Sequence, residues 1–184
     1  MPALTTTREV RIMDGRAGAS SFYDETWNPE NAFMPDTLFG WHAGPRGVIP
    51  KPFPVFIWYE FRDAVTPAEI SFRPRQDCAS GVGVSNARSR AAAATCATLT
   101  PTKFQFVGSN DPICDDFSAW TVLCEDFADE AFASMRETRF CAADPARIAD
   151  TQFRCLGLKI FGTKNVDGWT SLNNIRIWER VIAG

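Results

Sequence analysis

The chain has 184 residues, which suits one domain of ordinary size and leaves little room for two. With 45% hydrophobic and 22% charged residues it has the composition of a chain that buries a core, not of a disordered one. The formal net charge of -3 offers no basic surplus for nucleic acid, and the single histidine, His42, excludes sites built from two or more histidines. Strand signals then follow one another along the chain. Residues 9–13 (EVRIM) alternate charged and apolar side chains, and Asp14-Gly15 marks a turn. Residues 43–54 hold four prolines and two glycines and read as a long loop. Residues 54–61 (PVFIWYEF) are β-branched and aromatic, as a buried strand requires, and residues 68–73 (AEISFR) alternate again. Residues 86–97 (NARSRAAAATCA) are the one segment of helical character, rich in alanine but short and without an apolar stripe. Residues 103–107, 120–123, 138–140, 153–161 and 174–178 complete the strands, with turn residues at 108–112, Asp144-Pro145 and Asp167-Gly168. About eight short strands at irregular spacing predict a single all-β domain over residues 1–184, an antiparallel β-sandwich or jelly roll.

The six cysteines, Cys78, Cys96, Cys114, Cys124, Cys141 and Cys155, form no C-x-x-C pair, which speaks against zinc ribbons and thioredoxin-type redox motifs. An even count in the later part of the chain predicts three disulfides and an oxidising compartment. Many pairings are open; the expected one is local, Cys78–Cys96, Cys114–Cys124 and Cys141–Cys155, each stapling an excursion between neighbouring strands. The first ten residues lack the apolar core of a signal peptide, so a secreted protein is expected here in mature form. With a native Met1 and reduced cysteines, the cytoplasm is the alternative. Residues 53–61 are the longest apolar stretch and fall far short of a membrane span.

Catalytic signatures are missing from the sequence: there is no G-x-S-x-G, H-E-x-x-H, G-x-G-x-x-G or P-loop. Asp115, Asp116, Glu125, Asp126, Asp129 and Glu130 cluster in sequence, but a solvated acidic loop explains them as well as a pair of facing glycosidase carboxylates. The expectation is a non-enzymatic protein.

Three blocks carry more information. Residues 19–21 (ASS), 28–33 (NPENAF) and 40–42 (GWH) form the first. Residues 104–111 (FQFVGSND), followed by Trp120 and Leu123, form the second. Residues 154–161 (RCLGLKIF) and 171–179 (SLNNIRIWE) form the third. In this order and spacing they resemble the coagulation factor five/eight C-terminal, or discoidin, domain of the galactose-binding-domain-like superfamily. The resemblance covers about residues 17–181. It implies a jelly-roll sandwich in which Trp41 closes one end as a core aromatic and ligands are met by the loops.

In many relatives the first loop reads Ala-Phe-Asp-Gly-Asp-x-x-Thr-x-Trp and holds a structural calcium. Here residues 32–41 read AFMPDTLFGW: Met34, Pro35 and Phe39 replace the first Asp, the Gly and the Thr, while Asp36 remains. Calcium takes about six to eight oxygens. The resemblance offers Asp36, backbone carbonyls and Glu179 as ligands. The competing reading is a metal-free loop stiffened by Pro35 and packed by Phe39.

Arg75-Gln76-Asp77, just before Cys78, is similar to the Arg-x-Asp-Cys stretch of fucose-binding lectins in the same superfamily. There a His, the Arg-x-Asp motif and a further Arg grip sugar hydroxyls. The resemblance assigns these roles to His42, Arg75 and Asp77, with Arg88 or Arg90 in place of the further Arg, which is absent from its usual position. Arg supplies planar donors and His donates or accepts, which matches sugar hydroxyls of both kinds. The plain alternative is that Asp77 pairs with Arg75 at a loop base and His42 packs beside Trp41. Trp27, in a polar loop, and Arg46 complete the candidate ligand-binding set; Trp27 reads equally as a stacking surface or as a residue buried under its loop.

The function expected from these readings is glycan recognition at a cell surface or in the extracellular space, with a glycan or glycoprotein as partner. An interaction subunit of a larger protein assembly is the alternative, suggested by the apolar, proline-rich residues 49–54.

Overall fold

The computed structural model describes residues 5–12, 14–35, 37, 40–44, 53–74, 98–127, 130, 137–148, 150–165 and 169–182. Two antiparallel sheets face each other. One contains β1 (Thr5–Glu9), β3 (Trp41–His42), β5 (Pro67–Arg73), β8 (Arg139–Ala142) and β10 (Ser171–Ile182), in the order β1-β10-β5-β8 with β3 also on β10. The other contains β2 (Arg16–Ala19), β4 (Val55–Val65), β6 (Pro101–Ser109), β7 (Thr121–Asp126) and β9 (Phe153–Thr163), in the order β2-β4-β9-β6-β7. This is the all-β antiparallel sandwich that the strand pattern predicts, with ten strands among the described residues.

Alternation along the strands sets the core. From β4, Val55, Ile57, Tyr59 and Phe61 point inward; from β9, Leu156, Leu158 and Ile160 join them; from the facing sheet come Ile70, Phe72, Leu172, Ile175 and Ile177. Trp41 is fully buried at one end, as expected, and its indole N–H donates to the Ser21 carbonyl at 2.9 Å. A second, smaller cluster lies on the outer face of the β4 sheet, where Phe56, Trp58, Val107, Trp120 and Cys155 are buried under the 110–120 loop. That cover explains why β4 and β9 read as nearly continuous apolar runs: both of their faces are dry, which is unusual for an antiparallel sheet.

Several boundaries differ from the sequence expectation. The first strand is Thr5–Glu9 rather than residues 9–13: its ladder with β10 runs from Ile182 to Trp178, and Val10 adds one more bond, to the Ile177 carbonyl at 2.8 Å. Two strands escaped the pattern: β2 is Arg-Ala-Gly-Ala, with little β propensity, and β3 is only two residues long. Two short helices also appear. In α1 (Pro29–Phe33), Asn28 caps the Asn31 amide and Pro29 opens the first turn. In α2 (Pro145–Ile148), the Asp144 carboxylate accepts from the Ala146 amide. The expected helix at residues 86–97 lies outside the described residues.

The disulfide expectation needs correction. Cys114 pairs with Cys155 and Cys124 with Cys141, with Cα–Cα distances of 6.0 and 6.1 Å. Neighbours in sequence are not neighbours in a sandwich. Cys124 on β7 and Cys141 on β8 occupy edge strands of opposite sheets, so their bond ties the sheets together. Cys114 belongs to the 110–120 loop and Cys155 to β9 beneath it, so their bond fastens the cover of the outer cluster. The expected Cys78–Cys96 bond lies outside the described residues. These bonds match an oxidising environment.

Candidate functional site

Three segments converge at the end of the sandwich marked by Trp41. Strand β10 begins there, with Ser171 opposite His42, Leu172 opposite Trp41 and Asn173 opposite Arg73 at the close of β5. The 20–28 loop is clamped onto β3: the Tyr23 amide donates to the His42 carbonyl at 2.9 Å, and the Gly44 amide donates to the Ser21 hydroxyl at 3.2 Å. Gly44 has φ of 90°, a left-handed conformation that glycine adopts without a Cβ penalty. On the other side, the Ala43 amide donates to the Thr170 carbonyl at 2.9 Å, and the Asn165 side chain accepts from the Trp169 amide at 3.2 Å.

These bonds gather three half-buried rings. The His42 and Trp169 ring centroids are 5.0 Å apart and nearly perpendicular. Tyr23 lies 5.3 Å from His42 and 6.0 Å from Trp169. His42 Nδ1 is 3.0 Å from the Ala43 carbonyl, which only accepts, so Nδ1 carries a proton and donates it. The arrangement offers apolar ring faces together with a phenol and an indole N–H.

Of the predicted site residues, the structure brings His42 into this trio, packed on Tyr23 and Trp169 rather than on Trp41 alone. Trp27 is half-buried in the same loop as Tyr23, in a 3₁₀ turn (Glu25–Trp27) capped by the Asp24 carboxylate. Arg46, Arg75, Asp77 and Arg88 lie outside the described residues. Tyr23 and Trp169 were missed. Tyr23 opens the segment in which Trp27 drew attention, and Trp169 directly follows the Asp167-Gly168 turn; aromatic residues beside turn signals were the available clue.

The structure does not show the expected calcium site. The stretch of β10 against the 34–40 loop contributes Asn173, not Glu179. The Asn173 amide group donates to the Thr37 carbonyl at 2.7 Å, and the Thr37 hydroxyl donates to the Asn31 carbonyl at 2.9 Å. Glu179 sits farther along β10, opposite Arg8, and is bonded to its guanidinium. Asp36 lies outside the described residues, and among the described residues no group of three or more His, Cys, Asp or Glu side chains could hold a metal.

No protein-family model matches the chain, and no curated protein matches it by sequence. Solved structures do. The family 32 carbohydrate-binding module of C. perfringens NanJ, solved with galactose, superposes with a TM-score of 0.62 at 12% identity, covering 95% of this chain and 100% of that one. An F5/8 type C domain from Bacteroides fragilis gives 0.62 at 10% identity, covering 96% and 98%. A further family 32 module from Clostridium perfringens, in complex with GalNAc-β-1,3-galactose, gives 0.58 at 14% identity, covering 89% and 94%. At such identities the likeness is one of fold: the chain has the discoidin-type, galactose-binding-like sandwich shared by F5/8 type C domains and family 32 carbohydrate-binding modules.

Proposed function

We propose that this chain is a non-catalytic carbohydrate-binding module that recognises glycan through the loop end of the sandwich. The observation that carries this reading is the meeting of Tyr23, His42 and Trp169 beside the start of β10. Ring faces stack on the C–H face of a pyranose, and the polar edges of the same rings select its hydroxyls. A rigid sheet positions the rings, so little entropy is lost on binding. Arg75 and Asp77, which follow the end of β5, together with Arg46 and Arg88, are assigned the hydrogen-bonding roles around the rings, and Trp27 an outer stacking role. The two disulfides support a secreted or extracellular setting.

A glycan array tests the reading. Hits by the wild-type protein that vanish in His42→Ala and Trp169→Ala, with the melting temperature of each variant within a few degrees of wild type, support it. A blank array, or hits unaffected by both substitutions, overturns it.

A further inference from the structure

A second cavity, of 560 Å³, lies away from the aromatic trio, over the outer face of β2 between the 22–30 segment and the tip of the 110–120 loop. Its floor is shaped by missing side chains. Gly18 stands opposite Trp58, and a Cβ there would come within 2.5 Å of the Trp58 indole. With only hydrogen at Gly18, the indole edge carrying Nε1 faces the cavity. Trp58 is 8% exposed, and no described residue accepts its indole N–H, so an unpartnered donor lies at the floor.

The walls are apolar and open to solvent: Phe22 is 39% exposed and Ile113 57%. The rim is acidic. Glu25, Glu30 and Asp115 are exposed and line the cavity, and none of them forms an ion pair with a described residue. The one cation among the described lining residues, Arg16, is held by Glu60 at 2.9 Å.

We propose that this groove is a second carbohydrate site, distinct from the loop-end trio, that takes oligosaccharides bearing free amino groups. The inference rests on the carbohydrate-binding reading above. The volume lies in the usual range for small-ligand sites. Phe22 and Ile113 accept the apolar ring faces, the Trp58 indole donates to a hydroxyl, and the three carboxylates accept charge-assisted hydrogen bonds from ammonium groups. A neutral sugar would offer these carboxylates only uncharged hydroxyl donors, which bind more weakly than ammonium groups, and an anionic sugar would be repelled.

The test is calorimetric titration of the whole chain, at low salt, with the fully deacetylated glucosamine trimer and with its N-acetylated counterpart. The deacetylated trimer binds at least about tenfold more tightly; the double variant Glu25→Gln, Glu30→Gln loses about tenfold for it; and His42→Ala leaves its affinity unchanged. Equal binding of the two trimers, no binding, or a loss in His42→Ala without one in the carboxylate variant overturns the proposal. So does a trilysine peptide that binds as tightly as the amino sugar, since that would make the rim a general cation patch. The array with His42→Ala and Trp169→Ala judges the first site independently, so either site can fail while the other survives.

Discussion

Two clusters of aromatic rings divide the work of this molecule. At the loop end, Tyr23, His42 and Trp169 are half-buried, set at 5.0 to 6.0 Å, and backed by main-chain bonds between loops. On the outer face of the β4 sheet, Phe56, Trp58, Phe117 and Trp120 are closely packed, with Phe56 and Phe117 stacked at 4.1 Å under a loop fastened by Cys114–Cys155. The ring chemistry is the same, but the environment differs. Covered rings contribute stability, whereas rings left half-open beside polar groups are available to a ligand. Aromatic content alone therefore says little about function; what lies above the rings decides it.

The comparison is sharpest where the two clusters respond differently to substitution. The largest effect is expected on removing the Cys114–Cys155 bond with serines. Closing a loop of 41 residues contributes about 4 kcal/mol on chain-entropy grounds, and urea unfolding should show a loss of that order with glycan affinity retained. A loss of affinity as large as the loss of stability would mean that the clusters are not separate. Next, Phe56→Ala removes a buried ring and should cost about 3 kcal/mol by the same measurement; a cost below about 1 kcal/mol would show that the outer cluster is not packed. Trp169→Ala should reverse the pattern, lowering glycan affinity about tenfold or more while stability moves by less than about 1 kcal/mol. The smallest effect concerns acid. The Ser118 hydroxyl and amide bond the Asp116 carboxylate and hold its pKa below the ordinary 3.8. A depressed carboxylate stabilises the fold above its unfolded pKa and loses that contribution as pH falls through the folded value. Amide protection in the 110–120 loop, measured by hydrogen exchange relative to the intrinsic rate at each pH, should therefore fall at low pH in the wild type, and Asp116→Asn should remove that pH dependence while the loop-end trio is unaffected.

Much of the sandwich was legible. Residues 54–61, 68–73, 103–107 and 153–161 announced β4, β5, β6 and β9 because their side chains alternate or run apolar as a half-covered or fully covered strand must. Strands such as Arg16–Ala19 were not legible, since Ala and Gly carry no periodic signal and the strand exists because β4 offers it partners. The expected disulfide partners followed chain order, while the observed ones follow the meeting of β7 with β8 and of the 110–120 loop with β9. At the candidate site, His42 was singled out through the resemblance to fucose-binding lectins. Tyr23 and Trp169 were not, because they lie 19 and 127 residues from His42 in sequence and meet it only through the pairings of β3 with β10 and of the Tyr23 amide with the His42 carbonyl.

By itself, then, the sequence determined an acidic, disulfide-bearing β-sandwich of the discoidin type with its buried Trp41, because hydrophobic periodicity and block spacing are local properties of a chain. Which cysteines bond, which aromatic rings stay open, and that the Trp58 indole faces a groove across Gly18 were decided only by the tertiary structure. Each of these depends on residues brought together from distant strands, and no local pattern encodes which neighbour covers a side chain and which leaves it to solvent.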